Sequence, residues 1–250
     1  MEHSSGRVSA LIGSCFLLLL ATASGGAAAD KLAGKVIDRD SRVPIGRALI
    51  QIVTAHDGTL LAQTRTAPDG TYVVSLHGSM PALVIAAAES LPYATYHGLL
   101  DQTAQRRLIS LSRITWQEAA WLRRVNADRH ELHLRPVIMD EIALQVARAH
   151  AADMAAHGYL EHADRRGVQH WERYAALSGV GGDYENIARG ENATWGDIER
   201  AFIAEGAPKR AGLCTHYTTL FDPHARWIGL GTARARDEIY FDQELIEYPY

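Results

Sequence analysis

A chain of 250 residues, 47% hydrophobic and 22% charged, has the make-up of a globular protein, which excludes disordered and fibrous classes. Its length allows one large domain or two ordinary ones. A formal net charge of -4, without a basic run or an aromatic-interleaved basic patch, leaves nothing to grip a phosphate backbone, so no nucleic acid is expected as a partner.

The amino terminus carries Arg7, an apolar run from Phe16 to Leu20 and small residues ending Ala27-Ala28-Ala29, the outline of a secretory signal peptide over residues 1–29. That run is too short to span a bilayer, and no later stretch reaches the roughly 20 apolar residues a span needs. The mature chain is therefore expected to lack a transmembrane segment and to be secreted or periplasmic. Cys15 precedes the apolar run instead of following it, the wrong order for a lipidation box. Cleavage after Ala29 leaves Cys214 as the sole cysteine, so no internal disulfide is available and stability must come from the core.

Residues 30–113 alternate in the manner of strands, with Ala48, Ile50 and Ile52 on one face, then Leu60 and Ala62, then Tyr72, Val74 and Leu76. Asp57-Gly58 and Pro68-Asp69-Gly70 supply turns, proline presetting the first torsion and glycine accepting a positive one. With Leu83-Val84-Ile85 and Leu108-Ile109-Ser110-Leu111, the pattern predicts a small all-β sandwich. The order Gly34-Lys35-Val36-Ile37-Asp38, Pro44-Ile45 and Asp69-Gly70-Thr71-Tyr72 resembles the carboxypeptidase regulatory-like, transthyretin-like domains. That resemblance implies a structural or adhesive role and no chemistry.

At Thr115 the period changes, and residues 114–250 read as helices mixed with a terminal hairpin. Thr115-Trp116-Gln117-Glu118 fits a capping box opening a helix to about Leu132. A second helix from about Asp140 has an apolar stripe of Ile138, Ile142, Val146 and Ala149, and Gly158 suits its C-cap. Thr194 caps a third, whose apolar face runs through Trp195, Ile198 and Phe202 to Glu205, a carboxylate that is costly on a core-facing stripe unless paired. Strands from Arg226 to Ala233 and Ile239 to Ile246 close the chain, giving an α+β protein.

Four residues stand out as one polar site: His162, Glu185, Glu205 and His216. Two imidazoles and two carboxylates are the side chains that a divalent cation or a proton-transfer site needs. The series Asn126-x-x-Arg129, Ala147-x-x-His150, Tyr159-x-x-His162, Gly167 with Arg173, Glu185-Asn186-Ile187-Ala188, Phe202-x-x-Glu205, His216-Tyr217-Thr218 and Ile228-Gly229-Leu230-Gly231 resembles the CAP superfamily of cysteine-rich secretory and SCP-like proteins. The resemblance implies an α-β-α sandwich following the all-β sandwich, and an open cleft whose tetrad maps onto His162, Glu185, Glu205 and His216. In some members that tetrad is similar to a site for zinc or another divalent cation. Tyr184 stands where the family's Gly-Glu-Asn begins and Phe221 near the usual tryptophan, while the absence of disulfides fits a bacterial version. Gly190-Glu191-Asn192 repeats the Gly-Glu-Asn string, so Glu191 competes with Glu185.

Other polar residues have plainer readings. His150 is expected to pack beside an apolar stripe with Asp153 and His157 solvated, and Asn126 and Arg129 to brace the fold. Cys214 and His216 are placed on one side of a strand, where Cys214 reads as a small buried hydrophobe before it reads as a nucleophile. The leading functional expectation is a secreted binding protein holding a divalent cation, a small apolar or extended ligand, or an extracellular polymer. A metal-assisted hydrolase acting on peptide or envelope material and an interaction module working through the β-sandwich are the alternatives.

Overall fold

The computed structural model describes residues 30–76, 81–88, 92–100, 106–179, 183–207 and 214–247. The expected signal segment, with Cys15, and the terminal Tyr248 and Tyr250 lie outside them. In the first half β1 (Asp30–Asp38), β4 (Thr71–Leu76) and β7 (Arg106–Leu111) form a sheet in the order β4-β1-β7. A second sheet has the order β3-β2-β5-β6, from β2 (Leu49–Thr54), β3 (Leu60–Arg65), β5 (Ala82–Ala87) and β6 (Tyr96–Leu99). Val36, Tyr72, Val74, Ile109 and Leu111 of one sheet share a core with Ile50, Ile52, Val84 and Ala86 of the other, so the two pack face to face. Gly70 takes a φ of 78°, as the turn chemistry requires, but the segment it closes carries the chain from one sheet to the other. Leu60 departs from expectation: it is exposed, because β3 is an edge strand whose outer face meets solvent.

The second half holds a sheet in the order β8-β10-β11-β9, built from β8 (Ile138–Met139), β9 (Asp183–Glu191), β10 (Trp227–Ala235) and β11 (Glu238–Ile246). Among the described residues five helices accompany it: α1 (Trp116–Glu131), α2 (Glu141–His157), α3 (His170–Ser178), α4 (Trp195–Glu205) and α5 (His216–Leu220). The capping box at Thr115 is present, with Thr115 N donating to Glu118 Oε2 at 2.6 Å and Glu118 N to Thr115 Oγ1 at 3.2 Å. Asp140 caps α2, and Gly158 closes it at φ 70°.

Helix α2 lies directly on β10 because two glycines there have no side chain to hold it off. A Cβ at Gly229 would stand 2.1 Å from the Ala143 carbonyl carbon, and one at Gly231 would stand 2.0 Å from the Ala147 carbonyl oxygen. This close approach selects alanines, and the buried face of α2 runs through Ile142, Ala143, Val146, Ala147, His150, Ala151 and Met154. The expected stripe is corrected at its ends: Ile138 belongs to β8 and is exposed, and Ala149 faces solvent. On the opposite sheet face Ile228, Leu230, Phe241 and Leu245 pack with Trp121 and Val125 of α1 and Ile198 and Phe202 of α4. The sheet is thus sandwiched between helices, as α-β-α.

Arg129 is fully buried and spends its guanidinium on carbonyls, donating to Arg135 O, Leu220 O and Asp222 O at 2.9, 2.9 and 3.0 Å. Asn126 exchanges two hydrogen bonds with the Val137 backbone, at 2.9 and 2.8 Å. Both residues brace the loop after α1, as expected of them.

Polar contacts join the two halves. His97 of β6 is buried, with Nδ1 2.8 Å from Asp140 Oδ2, Nε2 3.0 Å from the Tyr174 hydroxyl and its ring stacked on Trp227 at 4.4 Å. Glu141 accepts from Ser112 N at 2.5 Å, from Ser112 Oγ at 2.8 Å and from Arg39 Nε at 2.7 Å.

Candidate functional site

His162 follows the glycine cap of α2, and its position is set by α3 and β9. Its Nδ1–H donates to Glu185 Oε2 at 2.5 Å, while Arg173 of α3 bonds Glu185 Oε1 and donates to the His162 carbonyl at 2.8 Å. One guanidinium therefore holds both members of the pair, and the buried Glu185 carboxylate has each oxygen engaged. The bond to Glu185 raises the His162 pKa above its ordinary value, against the opposing effect of burial. Glu191 is not in this position: it ends β9 opposite Glu238 and is exposed.

The second pair hangs on the end of α4. Phe202 and Glu205, three residues apart on one helix face, both address His216. The His216 ring stacks on Phe202 at 4.3 Å with 12° between planes, and its Nδ1–H donates to Glu205 Oε1 at 2.7 Å. The His216 backbone N–H donates to Glu205 Oε2 at 3.0 Å. Glu205 is the last residue of α4 and its side chain is 39% exposed, so the expected cost of a carboxylate on a core stripe does not arise. Asn186 links the pairs, donating through Nδ2 to the His216 carbonyl at 3.2 Å and to Gln243 Oε1 at 2.7 Å.

His162, Glu185, Glu205 and His216 line one open pocket of about 480 Å³, together with Asn186 and Cys214. A carboxylate only accepts hydrogen bonds, so each imidazole carries its proton on Nδ1 and leaves Nε2 as the nitrogen with a lone pair for a ligand. Each carboxylate also accepts hydrogen bonds through both of its oxygens. Cys214 is exposed, and His216 opens α5 instead of sharing a strand with it. The Thr215 hydroxyl caps that short helix by accepting from Thr218 N at 3.2 Å.

Behind the first pair lies a polar cluster that the sequence reading missed. His150, Glu185 and Asp242 are all buried, and a donor atom from each lies within 4.8 Å of the others, a possible metal-binding group. His150 Nε2–H donates to the Glu161 carbonyl at 3.0 Å and lies 3.8 Å from Glu185 Oε1, and burial lowers the His150 pKa. Glu244 pairs with Glu185 across β9 and β11 and lies 3.9 Å from Arg173. Arg173 thus already brings a positive charge to this cluster. The available signal was the polar run Asp242-Gln243-Glu244 within the terminal strand. Asp153 is half-buried and His157 exposed, with Nδ1 of His157 2.9 Å from Asp153 Oδ1, in keeping with a solvated pair.

A groove of about 530 Å³ between α1, α4 and the β10–β11 hairpin shares no lining residue with the tetrad pocket. Trp116, Trp121 and Trp195 line it, as does Glu199, whose carboxylate is buried, pushed up to about 7 by desolvation, and paired with Arg124 Nε at 2.5 Å.

Residues 122–245 match the family model described as the cysteine-rich secretory protein family, CAP. Among solved structures, an outer surface protein from Borrelia burgdorferi is similar at 15% identity and a TM-score of 0.45, over 52% of this chain and 92% of that one. An extracellular protein containing a SCP domain, from Bacillus anthracis strain Ames, is similar at 14% identity and a TM-score of 0.38, over 74% of this chain and 80% of that one. No curated protein sequence matches.

Proposed function

We propose that the CAP domain of residues 122–245 binds a divalent cation, zinc first, through Nε2 of His162 and Nε2 of His216, in a cleft that also takes an extended ligand. The supporting observation is the pair of Nδ1–H···carboxylate bonds, His162 to Glu185 at 2.5 Å and His216 to Glu205 at 2.7 Å. A carboxylate on the far nitrogen fixes the tautomer and raises the basicity of the near one, the usual support of a metal-ligating histidine. Two neutral nitrogens beside two carboxylates suit zinc, with water completing the shell. Binding is favoured over hydrolysis because Glu185 and Glu205, the candidate bases, are both committed to their histidines.

The rest of the reading is architectural. Residues 30–113 are assigned as a carboxypeptidase regulatory-like sandwich and residues 1–29 as a signal peptide, so that the mature protein is secreted or periplasmic. Among the described residues no helix is long and apolar enough to cross a membrane. Sequencing of protein recovered outside the cytoplasm should begin at Asp30, and an intact Met1 terminus would remove the signal assignment.

Zinc titration by calorimetry tests the central claim. Wild type should bind about one equivalent, and His162→Ala and His216→Ala should each abolish or severely weaken binding. An unchanged isotherm in either variant would overturn the proposal.

A further inference from the structure

The tetrad cleft opens sideways into a second pocket of about 280 Å³, which shares His162, Glu185, Cys214 and Thr219 with it and is walled by Trp171 and Tyr184. Both rings face solvent to an extent unusual for their size, Trp171 at 48% and Tyr184 at 39%. Both are also held in place. His170 packs edge-on against Trp171, with centroids 4.8 Å apart and planes at 82°, and the Tyr184 hydroxyl is hydrogen-bonded to Glu247. Ordered aromatic faces beside an open cleft offer large contact area at little conformational cost.

The composition of the wall selects the ligand. Apart from the two rings, the lining among the described residues consists of imidazoles, Gln169, Glu185, Thr219 and the Cys214 thiol, with no aliphatic side chain. An acyl chain or sterol would desolvate these polar groups without pairing them, an unfavourable exchange. A pyranose ring has the matching character: one face of C–H groups to lie on an aromatic ring, and an edge of hydroxyls for Gln169 and Thr219. We propose that this pocket is a saccharide subsite, with a pyranose stacked on Trp171 and Tyr184 and the next sugar of the chain lying over the tetrad. The ligand class of the cleft is then an extracellular polysaccharide. Placing the second sugar rests on the cation reading above, whereas the aromatic subsite itself does not.

The test is calorimetry on the whole mature protein with chitotriose and with maltotriose as probes, each run in EDTA and again with zinc, beside a separate zinc titration. At least one trisaccharide should bind in EDTA. Trp171→Ala and Tyr184→Ala should each weaken it by roughly 10-fold, the loss of about one aromatic contact, while Trp171→Phe keeps most of the affinity. Circular dichroism should show both alanine variants folded, since neither ring is buried. Failure of both trisaccharides to bind, binding unchanged by both alanine variants, or binding of an acetylated Phe-Gly-Phe peptide in their place would overturn the subsite. A flat zinc isotherm with intact sugar binding would remove the cation reading alone.

Discussion

Phe202 carries His216 flat against its face, ring centroids 4.3 Å apart and planes 12° apart, and the same helix supplies the carboxylate that bonds the imidazole. The stack fixes the plane in which Nε2 points, so a leucine at 202 should leave His216 present but free to turn. Phe202→Leu is expected to weaken zinc binding by roughly 10-fold, the lower end of what supporting residues of metal sites contribute. Its stability cost should stay near 1 to 2 kcal/mol, that of one large-to-small core change. Calorimetry and urea unfolding on the same preparation separate the two effects.

The carboxylates should respond differently to neutralisation. Glu185→Gln and Glu205→Gln each replace the charged acceptor behind an imidazole with a neutral amide, so both should lose roughly 10- to 100-fold in zinc affinity. Only Glu185 is also the partner of Arg173, whose side chain is 12% exposed. Leaving that guanidinium half-paired should cost about 2 to 4 kcal/mol of stability, against less than about 1 kcal/mol for the exposed Glu205. Equal unfolding midpoints for the two variants would contradict the buried clamp.

Much of this arrangement was legible in the chain because local rules governed it. Thr115, Asp140, Gly158 and Thr194 announce helix ends through their own hydrogen bonds or torsion, and the structure places a cap at each. The pairing of His162 with Glu185 was not readable from spacing, since it depends on α3 bringing Arg173 against β9. That helix starts at His170 and buries only Tyr174 and Ser178, too little for a periodic apolar signal. Asp242 and Glu244 escaped notice for a related reason: a strand buried on both faces has no polar side, so its inward carboxylates do not break an alternation.

Glu199 should make stability fall as pH rises. Its carboxyl is buried, and desolvation pushes it up to about 7 in the folded chain, against an ordinary value of 4.5. Between these values the folded state holds a proton that the unfolded state has released, so stability decreases with rising pH across that window and levels off above it. The effect is on the order of 1 to 3 kcal/mol between pH 5 and pH 8. Urea midpoints at those two pH values should differ in that direction, and Glu199→Gln, which keeps the shape without the charge, should flatten this component. A wild-type midpoint that rises in step with that of Glu199→Gln would show Glu199 ionised throughout.

The second half should depend on the first for part of its stability. Asp140 and Glu141 open α2 with buried carboxylates; beside Ala143 and Gln145 of the same helix, their partners are His97, Ser112 and Arg39, which all precede residue 113. Burial raises the Glu141 pKa, so its ionised form relies on those donors. Removing residues 30–112 would also uncover the hydrophobic cluster of Ile142, Val146 and Trp227, against which Ile85 and Tyr96 pack. A chain of residues 113–250 should therefore unfold at lower urea than the whole protein, by several kcal/mol from the lost donors and apolar contacts together. The single change Tyr174→Phe, which removes the hydroxyl 3.0 Å from His97 Nε2, should cost about 1 to 2 kcal/mol in the whole protein and almost nothing in the truncated chain. A double-mutant cycle over truncation and Tyr174→Phe measures the coupling directly, and a value near zero would mean that the two halves fold independently.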